Sequence, residues 1–281
     1  MLSFDMPLLR DRFNIWFEAD ANEQTAERTT LSAGEQFDRL LKHFGAALNT
    51  SDRRVIGSLF IKRYGALIAG ALYLWTHRRI GLDVSPKNVR VATNGIGLTY
   101  HILAPIEYGP LLAVQDTNRK NELYIGHLLS EGIYPVFAEI VRHTGIGESN
   151  LWATLSYTFA YWKREWIREA VSQQNRDDIE SVYQVMTEHF QPEWFPRKYK
   201  NPIISRFRCV DDPLHDGQQI LLRAKCCLNY RLPGEDRYCY TCPLITDERR
   251  IEKYVAAHAK EHLPITAKQT DLSGTGQNRR K

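Results

Sequence analysis

The chain has 281 residues, of which 43% are hydrophobic and 25% charged, ordinary proportions for a globular protein with room for one large core or two small ones. Its formal net charge of +4 is too small to mark a nucleic-acid binder, whose surface is far more basic. Residues 1 to 7 lack the basic start and apolar run of a secretory signal, and the longest apolar stretch, residues 64 to 75, falls short of the roughly twenty residues a membrane-spanning helix needs. The expectation is a cytoplasmic protein with at most peripheral membrane contact.

Residues 1 to 30 are mixed, and 19 to 30 read as a polar loop. A helix is predicted behind Ser32, an N-cap with Glu35 at the capping-box spacing, burying Phe37, Leu40, Leu41, Phe44 and Leu48. A second begins after Ser51 or Asp52 and reaches about His77, with Ile56, Leu59, Phe60, Tyr64, Leu67, Ile68, Ala71 and Trp75 at helical spacing. Val89 and Val91, then Ile96, Leu98, Tyr100 and Ile102, alternate with a period near two. Asn94-Gly95 between them is a hairpin signal, because the central residues of a type I′ turn take positive φ. Leu111 to Val114 reads as a third strand, with Pro105 and Pro110 interrupting the connection.

Helical pattern returns from about Asn118 to Arg142, to be kinked or split at Pro135. Gly145 and Gly147 mark a turn, and Ser149 or Asn150 caps a long aromatic helix carrying Leu151, Trp152, Leu155, Tyr157, Phe159, Trp162, Trp166 and Ile167. Another helix spans Arg176 to Phe190. Pro196 and Pro202 bracket a non-helical boundary, a last helix covers Thr246 to His262, and residues 266 to 281 have the composition of a disordered tail.

Four of the five cysteines fall close together, as Cys226-Cys227, eleven intervening residues, then Cys239 and Cys242 two residues apart. In a reducing compartment such a cluster favours metal over disulfides, and adjacent cysteines pair poorly with one another. Cys239-x-x-Cys242 is a normal zinc half-site, but two consecutive side chains diverge and make an awkward chelate for one tetrahedral ion. An iron–sulfur cluster is larger and takes four soft thiolates. Zinc, [2Fe–2S] and [4Fe–4S] all remain compatible with the spacing alone.

The segment resembles the C-terminal signature of the FhuF-type ferric-siderophore reductases: Cys-Cys, about ten residues, Cys, two residues, Cys. The flanking Tyr230, Tyr238 and Pro243 are similar as well. The intervening run is one residue longer here, a small change for loop closure. Weaker likeness extends to residues 58 to 64 (Ser-Leu-Phe-Ile-Lys-Arg-Tyr) and to Leu151-Trp152. The resemblance implies a [2Fe–2S] protein that reduces siderophore-bound Fe(III) to Fe(II), with Cys226, Cys227, Cys239 and Cys242 as cluster ligands. The other class of function kept open is a zinc-stabilised binding or scaffold protein without redox activity.

No G-x-G-x-x-G follows a strand, so a separate electron donor (a ferredoxin, flavodoxin or reductase) is expected rather than a built-in dinucleotide site. Arg197, Lys198, Lys200, Arg206 and Arg208, interleaved with Phe195, Tyr199 and Phe207, form either a docking face for acidic partners or a solvated connector. Cys209 reads as an idle or buried thiol. His258 and His262 share a helix face without the glutamate of a zinc protease, and His101 and His127 are single histidines. Trp152, Trp162, Trp166 and Trp194 read as core. The expected architecture is α+β, mostly helical, with a small antiparallel meander. Residues 1–205 would form the reductase domain, 206–262 the cluster-binding region and 263–281 the tail.

Overall fold

The computed structural model describes residues 6–17, 28–31, 34–103, 114–195, 200–204 and 206–258. Its elements run α1 (Met6–Phe13), β1 (Ile15–Phe17), β2 (Thr29–Thr30), α2 (Glu35–Ala47), α3 (Arg53–Arg78), β3 (Val89–Asn94), β4 (Gly97–Ile102), α4 (Thr117–His127), α5 (Tyr134–Thr144), α6 (Glu148–Glu169), α7 (Gln173–Thr187), β5 (Cys209–Asp211), β6 (Gln219–Leu221) and α8 (Asp247–His258). The α+β class read from the sequence holds: helices dominate and both sheets are small. The strand expected at Leu111–Val114, the Ser32 cap, Arg197, Lys198, Tyr199, His262 and the tail lie at least partly outside the described residues.

Helix α3 is the axle. Asp52 starts it by accepting hydrogen bonds from the amides of Arg54 (3.0 Å) and Val55 (3.3 Å), and Arg79 ends it in a left-handed cap. Its apolar residues run round the whole circumference, which suits a helix surrounded on all sides. By length and composition it would cross a membrane, yet 83% of its apolar window is buried inside the structure. Helices α1, α2, α5, α6 and α7 pack round it. Two glycines permit the close approaches: a Cβ on Gly70 would fall 2.3 Å from Ile15 Cδ1, and one on Gly65 would fall 3.0 Å from Thr158 Oγ1 of α6.

The larger sheet has the order β1-β4-β3-β2. Its antiparallel hairpin matches the period-two reading, but Asn94 pairs with Gly97, so Gly95-Ile96 forms the turn, one residue later than Asn94-Gly95. Gly95 supplies the positive φ of 56°. β2 joins antiparallel to β3, and β1 joins parallel to β4, which makes the sheet mixed rather than a plain meander. Both added strands are too short for alternation to reveal them.

Pro135 splits the long helix as anticipated. Residues Leu128–Ile133 form a π-helical segment between α4 and α5, with Pro135 in the first turn of α5, where its missing amide matters least. Three starts shift. α2 begins at Glu35 itself, behind Gly34, whose amide donates to Glu139, so Glu35 is too early to close a capping box. α6 begins at Glu148, whose carboxylate accepts from Trp152 Nε1. α7 begins behind Ser172, which caps the Asn175 amide. Gly145 is the left-handed cap of α5 and Gly147 the N-cap of α6, which assigns that glycine pair to a helix–helix turn.

The C-terminal segment has a small apolar cluster of its own, Ile220, Leu222 and Tyr254. Cys227 and Leu232 belong instead to the main core.

Candidate metal centre

Two arms carry the four cysteines. The first leaves β6 at Leu222 and Arg223, whose amides donate to the carbonyls of Arg208 and Thr241 (both 3.0 Å). At Leu228 the chain takes a left-handed turn (φ 62°). That turn points the Leu228 amide back at Cys226 Sγ (3.4 Å) and starts a single 3₁₀ turn, Asn229–Arg231. The arm is docked on the helical body. Arg231 pairs with Asp52 at the head of α3 (2.7 Å), and Lys225 donates to Ser149 at the head of α6 (2.8 Å). Cys227 is only 1% exposed.

In the second arm the Cys242 amide donates to the Cys239 carbonyl (3.0 Å), closing a tight turn. Thr241 Oγ1 lies 3.4 Å from Cys239 Sγ. Arg250 of α8 braces the turn. Its guanidinium is fully buried and donates to the carbonyls of Tyr240, Cys242 (2.9 Å) and Ile245 (3.1 Å), with Nε on Asp247 (3.2 Å). The arms are joined by Asn229 Nδ2 donating to the Arg237 carbonyl (2.8 Å) and by Tyr230 stacked on Tyr238, with ring planes 5° apart. Those two tyrosines, noted in the sequence only as flanking aromatics, form the clasp across the motif.

The four sulfurs converge. Cys242 Sγ lies 3.6 Å from Cys226 Sγ, and Cys227 interacts with both Cys226 and Cys239. All five cysteines of the chain are free thiols, so no disulfide framework exists. Among the described residues no three His, Cys, Asp or Glu side chains gather as a ready site for one ion. The quartet runs as a chain of neighbours, 242–226–227–239. Its protonation is uneven. The hydrogen bond from Cys227 lowers Cys226, helped by the Leu228 amide. The bond with Cys227 raises Cys239, followed by burial, and burial raises Cys242. Four thiolates so close repel one another, and metal charge is what allows all four to ionise together. The donor set therefore fits a thiolate-bound metal centre.

Residues 223–244 match the family model described as the FhuF 2Fe-2S C-terminal domain. The cysteine segment is thus similar to that domain. All four converging cysteines lie within the matched stretch, and the cofactor of a FhuF 2Fe-2S domain is a [2Fe–2S] cluster. Comparison with curated proteins returns no match.

The remaining candidates fall elsewhere. Cys209, on β5, lines a cleft of about 1250 Å³ between α6 and the β5–β6 hairpin. An adjoining cleft of about 430 Å³ is walled by Tyr157, Tyr161, Arg164, Tyr240 and Thr241, so the turn between Cys239 and Cys242 forms part of its surface. His258 stands against Tyr254 at that cleft (centroids 4.2 Å apart). His127 lies 3.5 Å from Asp83, and His101 is buried beside Trp16. Trp152 and Trp166 are buried in the core, with Trp162 and Trp194 packed against it. Of the basic stretch, Arg208 pairs with Asp247, an acid that sequence distance concealed, Phe195 is buried, and Phe207 packs edge-on against Tyr157.

Arg250 and the clasp were missed in the sequence. A lone arginine in an amphipathic helix has no motif, and stacking across a loop has no period.

Proposed function

We propose that this chain is a ferric-siderophore reductase, an oxidoreductase that delivers single electrons to siderophore-bound Fe(III) and works in the cytoplasm. The observation that carries the reading is the meeting of Cys226, Cys227, Cys239 and Cys242 from two arms within the FhuF-type stretch. These four would hold the cluster. When bound, an all-cysteine [2Fe–2S] centre supplies a one-electron couple of low potential, near roughly −400 mV in plant-type ferredoxins. Siderophores present hard oxygen donors, which suit Fe(III) far better than the softer Fe(II); one added electron turns a tight complex into a labile one, and the iron leaves as Fe(II).

The protein's own contribution is positional. The Leu228 amide and the Thr241 hydroxyl lie on Cys226 and Cys239, contacts that tune a cluster through its sulfurs. Arg250 holds the second arm's carbonyls, and docking on Asp52 and Ser149 fixes the first arm. The cleft walled by Tyr240 and Thr241 brings solvent to the cluster turn, and an anionic chelate would meet Arg164 and Arg168 there. Electrons arrive from a separate protein donor.

The test is anaerobic. Purified protein reduced with dithionite and freed of excess reductant is mixed with ferric hydroxamate and ferric catecholate chelates in the presence of ferrozine. Ferrous–ferrozine colour stoichiometric with reduced protein supports the reading. Reoxidation without release from any chelate would leave an electron carrier for some other acceptor.

A further inference from the structure

Two cations lie beside the cysteine arms without a described carboxylate to balance them. Lys62 is on α3, in the block 58–64 whose likeness to the family had no structural reason in the sequence. Its neighbour Arg63 turns to the hairpin, where Nε donates to the Ile96 carbonyl (3.1 Å). Lys62 is half-buried on α3, the helix that packs against the 3₁₀ turn Asn229–Arg231 of the first cysteine arm, and Cys227, Arg223 and Cys239 are the charged groups that act on it most. Arg223 opens the matched stretch. Its guanidinium lies 4.0 Å from the centre of the Tyr157 ring, and its Nε and Nη1 are wholly buried with no hydrogen-bond partner. Its amide is tied to the Thr241 carbonyl inside the Cys239–Cys242 turn (3.0 Å), and its charge favours the Cys239 thiolate. No described carboxylate pairs with either cation.

Two like charges placed together out of water are costly unless an anion neutralises them, and the ring face of Tyr157 compensates only one of them, and only in part. The thiolates supply the missing anion. Two Fe(III), two sulfides and four thiolates sum to a charge of two minus, and to three minus after one-electron reduction. We propose that Lys62 and Arg223 form a cationic seat for the [2Fe–2S] cluster that favours its reduced form and so sets its midpoint potential. The inference rests on the [2Fe–2S] reading above and adds that the helical body, through Lys62, tunes a cofactor whose ligands all come from the C-terminal segment.

Spectroelectrochemical titration of the intact protein tests it. Lys62→Met keeps the length and removes the charge. At a fixed potential its reduced-to-oxidised ratio should fall about tenfold, which for a one-electron couple is about 59 mV downward. Arg223→Gln should shift the same way, and Lys62→Arg should stay near the parent. An unshifted midpoint in Lys62→Met or Arg223→Gln with full cluster content would overturn the proposal. Should the neutral variants fail to assemble a cluster while Lys62→Arg assembles one, the same charge requirement is met at an earlier stage. Loss of cluster in Lys62→Arg too would assign Lys62 a packing role and overturn it. Absence of acid-labile sulfide in the parent protein would defeat the cluster reading itself, a result distinct from any of these.

Discussion

The helical body and the cysteine segment are held together by different physics. In the body, α3 is buried along nearly its whole length by surrounding helices, and large side chains such as Phe60, Tyr64 and Phe137 are fully enclosed. In the segment beyond residue 206, the private apolar cluster is three residues, too few to stabilise an independent fold. Its shape comes from directed bonds instead: Arg250 on three carbonyls, Asn229 across the arms, and Asp236 paired with Arg249 and Lys253 (2.7 Å each). A region built this way depends on what binds it and on what it docks against. The body should survive loss of the metal centre, and the segment should not.

The sharpest way to break that contrast is Cys227→Ser. It removes a sulfur and a buried core contact together, so visible absorption and bound iron should fall close to zero, while far-ultraviolet circular dichroism keeps most of the helical signal. Iron and sulfide at parental levels would contradict the ligand assignment. Arg250→Met comes next. It leaves three carbonyls without their buried donor, at a cost of roughly 3–5 kcal/mol to the segment. Cluster loss to a chelator should accelerate strongly, with little change in the melting of the body.

Phe60→Ala probes the other side. A cavity among Phe37, Phe44 and Phe60 should cost about 3–5 kcal/mol of global stability, read by denaturant unfolding, with the cluster spectrum of the folded protein unchanged. Asp52→Ala couples the two regions, because one carboxylate caps α3 and pairs with Arg231. About 1–2 kcal/mol is expected, together with faster cluster loss. A variant that destabilised the body without touching cluster retention would show that the docking contact is idle. The smallest effect belongs to Cys209→Ser, whose sulfur lines the neighbouring cleft; its spectrum should match the parent, and loss of colour would mean that the wrong quartet was chosen.

Much of this was legible in the sequence wherever information is local. The α3 pattern and its Asp52 cap, the β3–β4 hairpin and the split at Pro135 follow from spacing and backbone chemistry within a few residues. So does the cysteine motif, because a metal site built from two short arms writes its ligands close together. What stayed hidden is non-local. β1 pairs with β4 across more than eighty residues and is too short to show alternation. Lys62 comes beside the cysteine arms because α3 packs against the 3₁₀ turn of the first. Arg250 looks like any helix arginine until the turn it braces is folded over it. Even the basic run around Arg208 changed meaning once Asp247 was brought beside it.

The central claim is that the four thiolates hold sulfide-bridged iron. Iron and acid-labile sulfide should therefore be assayed on protein purified without oxygen, alongside zinc. Two irons and two sulfides per chain, in a red-brown protein that bleaches with dithionite, are predicted; a colourless protein with stoichiometric zinc and no sulfide would contradict it.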